Sequence, residues 1–91
     1  MSRVQRYIPE DIRENARAAL DAARGPLSWR RFAVVLREQA GVDSLSGAAV
    51  HLWYKHGAIP HHWVRHIVAF DSVDFAPEDI HESFFDLAAS A

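Results

Sequence analysis

The glycine and proline residues of this chain constrain its fold more than any other feature of the sequence. They separate segments in which apolar side chains recur at helical spacing. Glycine is favoured just after a helix and proline in its first turn, so each segment is predicted to be one short helix. No segment shows the alternation of apolar and polar residues that is typical of a strand. The residues that divide the chain are Gly25, Pro26, Gly41, Gly57, Pro60 and Pro77.

The predicted fold class is all-α, a small orthogonal bundle of about five helices that contains a helix-turn-helix. A length of 91 residues is that of one domain, and 49% of apolar residues is enough for one modest core. Within this domain, residues 8–24 form an added N-terminal helix, residues 28–70 a core of three helices, and residues 71–91 an acidic C-terminal segment. The first helix is rich in alanine and its apolar stripe is narrow, so we expect it on the outside of the core.

Charge is distributed unevenly along the chain. Residues 1–70 carry all ten lysine and arginine residues and six acidic ones, a net charge of +4 (ten minus six). Residues 71–91 carry the other six acidic residues and no lysine or arginine, and a short helix is predicted there over residues 77–89. A basic body with an acidic tail suggests a polyanionic partner for the body, although many small domains are uneven by this much.

Residues 41–57 have the features of the turn and second helix of a helix-turn-helix. In that motif the second helix lies in the major groove of DNA and the first crosses the backbone. The reading helix needs small residues at its exposed start so that its backbone can approach the base edges, and Ser46, Gly47 and Ala48 meet this need. Val50 and Trp53 supply the apolar anchors that face inward. We therefore predict that helix 46–56 enters the groove.

The same region resembles the Cro/XRE-type helix-turn-helix regulators of phages and bacteria. The resemblance extends over about residues 28–80, and its most specific part is the Trp–x–x–x–Gly–x–Ile–Pro pattern of residues 53–60. The turn is about three residues longer than is usual in that family. The resemblance implies a DNA-binding repressor. The matching residues are Gly41, Val42, Val50, Trp53, Gly57, Ile59 and Pro60.

Nine residues are the candidates for contact with DNA. Those of helix 46–56 are expected to face the bases or the adjacent backbone. The three arginines outside it are expected to contact phosphates, which gives affinity and position but not sequence specificity. The alternative for the charged residues is an ordinary solvated surface. The nine are Ser46, Gly47, Ala48, His51, Tyr54, Lys55, Arg30, Arg31 and Arg65.

The sequence gives little indication of metal binding or of catalysis. His62 and His66 have the i, i+4 spacing of a metal pair, but no third ligand is suitably spaced, so neither a metal nor a cofactor is expected. These histidines are then surface residues, or groups whose protonation near pH ~6 adds positive charge to the body. No nucleophile elbow or phosphate-cradling loop is present, so an enzyme is not expected. Trp29, Trp53 and Trp63 fall at inward positions of successive helices and are expected in the core.

These features favour a sequence-specific DNA-binding transcriptional regulator, a Cro/XRE-like repressor whose partner is double-stranded DNA. We expect a homodimer, paired through helix 77–89 or helix 8–24. No apolar run approaches the ~20 residues of a membrane helix, and the lack of a secretory signal favours the cytoplasm. The alternative is a protein-binding module on the same fold, such as an anti-repressor, an antitoxin-like partner or an inhibitor. The scarcity of Arg, Asn and Gln on helix 46–56 favours this alternative.

Overall fold

The computed structural model describes residues 9–81, which form five α-helices joined by short links. Within these residues there is no strand, so the prediction of an all-α bundle of about five helices is confirmed. None of the described helices combines the length and the apolar character needed to cross a bilayer. The helices are α1 (Glu10–Arg24), α2 (Trp29–Ala40), α3 (Gly47–His56), α4 (His61–Val68) and α5 (Pro77–Ile80).

The ends of α2 and α3 are set by the capping residues that the sequence indicates. The hydroxyls of Ser28 and Ser46 each accept a hydrogen bond of 3.1 Å from the backbone N–H three residues later. Each bond satisfies one of the amide groups that the first helical turn leaves without a partner. Gly41 and Gly57 end the two helices in the left-handed conformation, with φ of 72° and 63°.

The proline-initiated helices differ from the prediction in their bounds. Pro9 and Pro60 lie one residue before α1 and α4 in extended backbone, rather than at the first helical position. Pro77 does occupy the first position of α5. The prediction of helix 77–89 is wrong at His81, whose backbone is extended (φ −154°), and residues 82–89 lie outside the described part of the chain.

Helix α1 belongs to the core, so the expectation that it lies outside is wrong. Five of its side chains are buried, and it packs against α3, α4 and α5. Alanine side chains are short, so neighbouring helices approach closely and cover even a narrow stripe completely. The buried apolar residues are Ile12, Ala16, Ala19, Leu20, Ala23, Phe32, Ala33, Leu36, Val50, Ile59, Trp63, Val64, Ile67, Val73 and Ile80.

The three tryptophans lie at different depths in this core. Trp63 is buried, whereas Trp29 and Trp53 are partly buried and pack against the edge of the core. The ring centroids of Trp53 and Trp63 are 5.7 Å apart, which joins α3 to α4. The core prediction is therefore confirmed for Trp63 and holds in part for the other two.

Candidate nucleic-acid interface

Helix α3 presents one continuous stripe of side chains to solvent. Ala48, His51, Leu52 and Lys55 are all exposed, and their i, i+3, i+4 and i+7 spacing places them on one side of the helix. Val50 is fully buried and anchors the helix to the core. The four exposed residues are called the α3 face below.

A groove of about 660 Å³ runs between α2 and the first half of α3. Its basic residues are Arg30, Arg37 and His51, and none of its lining residues is acidic. A concave surface with basic groups and no carboxylate is complementary to an anionic partner. The remaining lining residues are Trp29, Ala33, Val34, Leu45, Ser46, Gly47 and Ala48.

Gly47 allows the start of α3 to lie directly against the start of α2. A Cβ atom at this position would be 2.8 Å from both the Cα and the backbone nitrogen of Arg30. No side chain fits there unless the two helices move apart. From the sequence, Gly47 is predicted to let the backbone of the helix approach DNA. The structure shows a second, independent reason for glycine at this position, which is the close packing of α3 against α2.

The other end of α3 is held by two arginines of α1. Arg17 donates to the carbonyl oxygens of Tyr54 (3.0 Å) and Lys55 (3.1 Å), and Arg13 donates to that of His56 (3.0 Å). The last carbonyls of a helix have no intrahelical partner and carry partial negative charge, so guanidinium groups stabilise them. Sequence reasoning missed both arginines, because nothing near them in the chain indicates partners about forty residues away.

Tyr54 lies in the contact between α1 and α3 and not on the α3 face. Its ring is half-buried, 5.1 Å from the ring of Trp29, and its hydroxyl donates a 3.1 Å hydrogen bond to the Asp21 carboxylate. The hydrogen bond to Asp21 and the charge of that carboxylate raise the pKa of Tyr54 above its ordinary value of 10.0. The structure therefore does not bring Tyr54 together with the other candidates.

Trp29 joins the end of α1 to the groove. The guanidinium carbon of Arg24 lies 4.3 Å from the centroid of the Trp29 ring, and the His51 ring is 5.4 Å from it. Arg24 also donates to the carbonyl of Leu27 at 2.8 Å, which fixes the link between α1 and α2. His51 is thus an exposed group with an aromatic ring beside it, at the edge of the groove.

The structure brings together most of the candidate residues. Ser46, Gly47, Ala48, His51 and Arg30 line the groove. Lys55 is exposed at the far end of the α3 face, and Arg31 is exposed on the first turn of α2.

Two other arginines differ in their relation to the groove. Arg65 is exposed on α4 and does not line the groove. Arg37 lines the groove but was not among the candidates. It lies seven residues after Arg30, two helical turns along the same side of α2, and this spacing could have identified it.

The histidines of α4 form a separate group. The rings of His62 and His66 lie 5.9 and 5.5 Å from the Trp63 ring, and that of His61 lies 5.5 Å from His81. In the part of the chain from 9 to 81, no three side chains of the metal-binding types are grouped so that they could hold an ion. These histidines therefore add no candidate site.

The fold and this surface define a small all-α protein with a basic groove beside one exposed helix. No family model, no curated protein and no solved structure matches the chain. Its function is therefore inferred from the fold and from the geometry of this surface.

Proposed function

We propose that this chain is a sequence-specific DNA-binding transcriptional regulator, a Cro/XRE-like repressor that places α3 in the major groove. In this proposal α2, the link of residues 41–46 and α3 act as the helix-turn-helix. The observation that carries it is the α3 face, an exposed stripe that begins at small residues and borders a groove with two arginines and no carboxylate. The helix-turn-helix places such a helix against base edges with its N-terminal residues first.

The dimensions and rigidity of α3 suit this role. An α-helix with its side chains is about 10–12 Å wide and the major groove about 12 Å, so close approach requires small side chains at the contact. Ser46, Gly47 and Ala48 provide them. Packing on α2 at one end and the arginines of α1 at the other fix the orientation of α3 before DNA arrives. A fixed orientation reduces the ordering cost of binding.

Basic groups at both ends of the α3 face contact phosphates in this proposal. Arg30 and Arg31 lie at the start of α2, and Lys55 lies in the last turn of α3. Each phosphate neutralised releases counterions and contributes about 0.9 to the slope of log affinity against log salt concentration. We therefore expect Arg31→Ala and Lys55→Ala each to weaken binding to every duplex and to reduce that slope by about one.

Fluorescence anisotropy with a random-sequence duplex, between about 50 and 200 mM salt, measures both quantities. The control is Asp74→Asn, which changes the net charge by one unit in the opposite direction at an exposed position outside α2 and α3. This control should keep the parental slope. Parental affinity and slope in both Arg31→Ala and Lys55→Ala would show that the docking is wrong.

The second candidate function is the protein-binding module. It is favoured by Leu52, which is 50% exposed on the α3 face, and by the lack of Arg, Asn and Gln there. Retention on heparin and anisotropy with random duplex at low salt distinguish the two functions. Binding in both assays supports the regulator, whereas binding in neither supports the protein-binding module.

A further inference from the structure

We infer that the α3 face recognises thymine in the major groove, with Leu52 in contact with the 5-methyl group of the base. This inference rests on the proposed DNA-binding function and extends it from a docking surface to a base preference. It depends on the exposure of Leu52, on the chemistry of its neighbours and on the charges around it.

Leu52 occupies a position that packing within the chain does not explain. It is 50% exposed in the middle of the α3 face, with Ala48 one turn before it and Lys55 one turn after it. Among residues 9–81, Val42 (42%) is the other large apolar side chain with comparable exposure, and it lies in the link before α3. An apolar side chain at the centre of a contact stripe contributes to the free energy of binding when a partner removes it from water.

The neighbours of Leu52 limit which bases the face can recognise. Paired hydrogen bonds from Arg or Lys select guanine, those from Asn or Gln select adenine, and a carboxylate accepts from cytosine. Ala48, His51 and Leu52 offer none of these groups. Lys55 could contact guanine, but it lies in the last turn, away from the N-terminal part of the helix that approaches the bases.

Thymine is the base whose major-groove edge carries a methyl group, so it is the base that an apolar side chain recognises. Leu52 and the methyl of Ala48 supply such a surface side by side, four residues apart on one helix. The partner is a duplex rather than an apolar protein surface because the adjoining groove carries Arg30 and Arg37 without any acidic residue. Phosphates complement those charges while the thymine methyl covers Leu52.

Replacing thymine with uracil removes the methyl group and keeps the base pair, so it tests for contacts with thymine methyl groups. The experiment first selects bound duplexes from a random pool, then prepares the recovered duplex with thymine or with uracil throughout. Burial of one methyl-sized group corresponds to about a four-fold change in affinity. We therefore expect the parent to bind the uracil duplex at least about four-fold more weakly, as measured by anisotropy.

Two variants assign the effect to Leu52. Leu52→Ala should bind the thymine duplex more weakly and reduce the ratio of affinities between the two duplexes. Val42→Ala, which removes apolar surface of comparable exposure (42% against 50%) outside the α3 face, should keep the parental ratio. Circular dichroism confirms that each variant remains helical, as expected for changes at exposed positions.

The outcomes separate this inference from the function on which it rests. Equal binding of both duplexes by the parent overturns the thymine inference and leaves the regulator standing. If Leu52→Ala keeps the parental ratio of affinities for the thymine and uracil duplexes, the assignment of the contact to Leu52 is overturned. Failure to recover or bind any duplex overturns the proposed function and the inference together.

Discussion

Gly41 and Gly57 have the same backbone conformation, but the structure places different demands on them. Both have positive φ and end a helix. A Cβ atom on Gly41 would meet nothing within 4 Å, whereas one on Gly57 would lie 2.7 Å from the Cβ of Arg13. Gly41 is therefore needed for its conformation alone, and Gly57 also for the close approach of α3 to α1.

This difference predicts unequal effects of the same substitution. Gly41→Ala should lower the free energy of unfolding by roughly 1–2 kcal/mol, the cost of a left-handed conformation with a side chain. Gly57→Ala should lower the free energy of unfolding by about 1–3 kcal/mol more than Gly41→Ala does, because Arg13 and the backbone around it have to move. Urea denaturation of the two variants measures both values. Equal losses would contradict the close packing of α1 against Gly57.

Among individual residues, the sequence allowed prediction of those that act on backbone groups close to them in the chain. Ser28, Ser46, Gly41 and Gly57 were identified as helix ends because their effect is exerted on backbone groups within a few residues. The role of Arg17 could not be predicted, since its hydrogen-bond partners lie 37 and 38 residues away. Tyr54 was placed with the DNA contacts for the same reason, because Asp21, the group that holds its hydroxyl, is 33 residues distant.

Among the helices, α1 is the support that holds α3 in place. Arg13 and Arg17 of this helix donate to the last carbonyls of α3. The Arg17 side chain is 31% exposed, so solvent weakens but does not remove this interaction. The 3.8 Å ion pair between Arg17 and the exposed Glu10 adds little.

Removal of the Arg17 guanidinium tests this support. Arg17→Met keeps the apolar stem and removes two charge-assisted hydrogen bonds, so it should lower the free energy of unfolding by about 1–2 kcal/mol. The control is Arg31→Met on the exposed side of α2, where a change of less than about 0.5 kcal/mol is expected. Thermal or urea unfolding measures both. Similar, small changes in the two variants would show that α1 does not fix the end of α3.

The order of the helices could be predicted from the sequence, but the burial of α1 could not. Apolar periodicity gave five segments, and residues 9–81 contain five helices, of which the last ends at Ile80 and is shorter than predicted. The same periodicity showed a narrow alanine stripe on α1 and led to the wrong expectation of a peripheral helix. Stripe width measures the amount of apolar surface, whereas the closeness of packing depends on side-chain size and on the neighbouring helix.

For the molecule as a whole, charge is unevenly distributed around the groove between α2 and α3. The groove is lined by basic residues from α2 and α3. Glu38 and Asp43 are the acidic residues between positions 29 and 51, and neither lines the groove. The position of the groove could not be predicted, because it depends on how α2 and α3 meet at Gly47. If the chain pairs as the homodimer expected from its sequence, its two α3 faces should lie about 34 Å apart, and a palindromic motif from the selection would match that spacing.

The most direct test is a nuclear magnetic resonance titration of the full chain with the duplex recovered by selection. If α3 lies in the major groove, the largest changes in backbone amide signals should fall on Ala48, His51, Leu52 and Lys55, with further changes at the start of α2. The exposed residues of α4, such as His62, should change little. Perturbations centred on α4 or α5, or no perturbation of the α3 face at saturating duplex, would contradict the proposal.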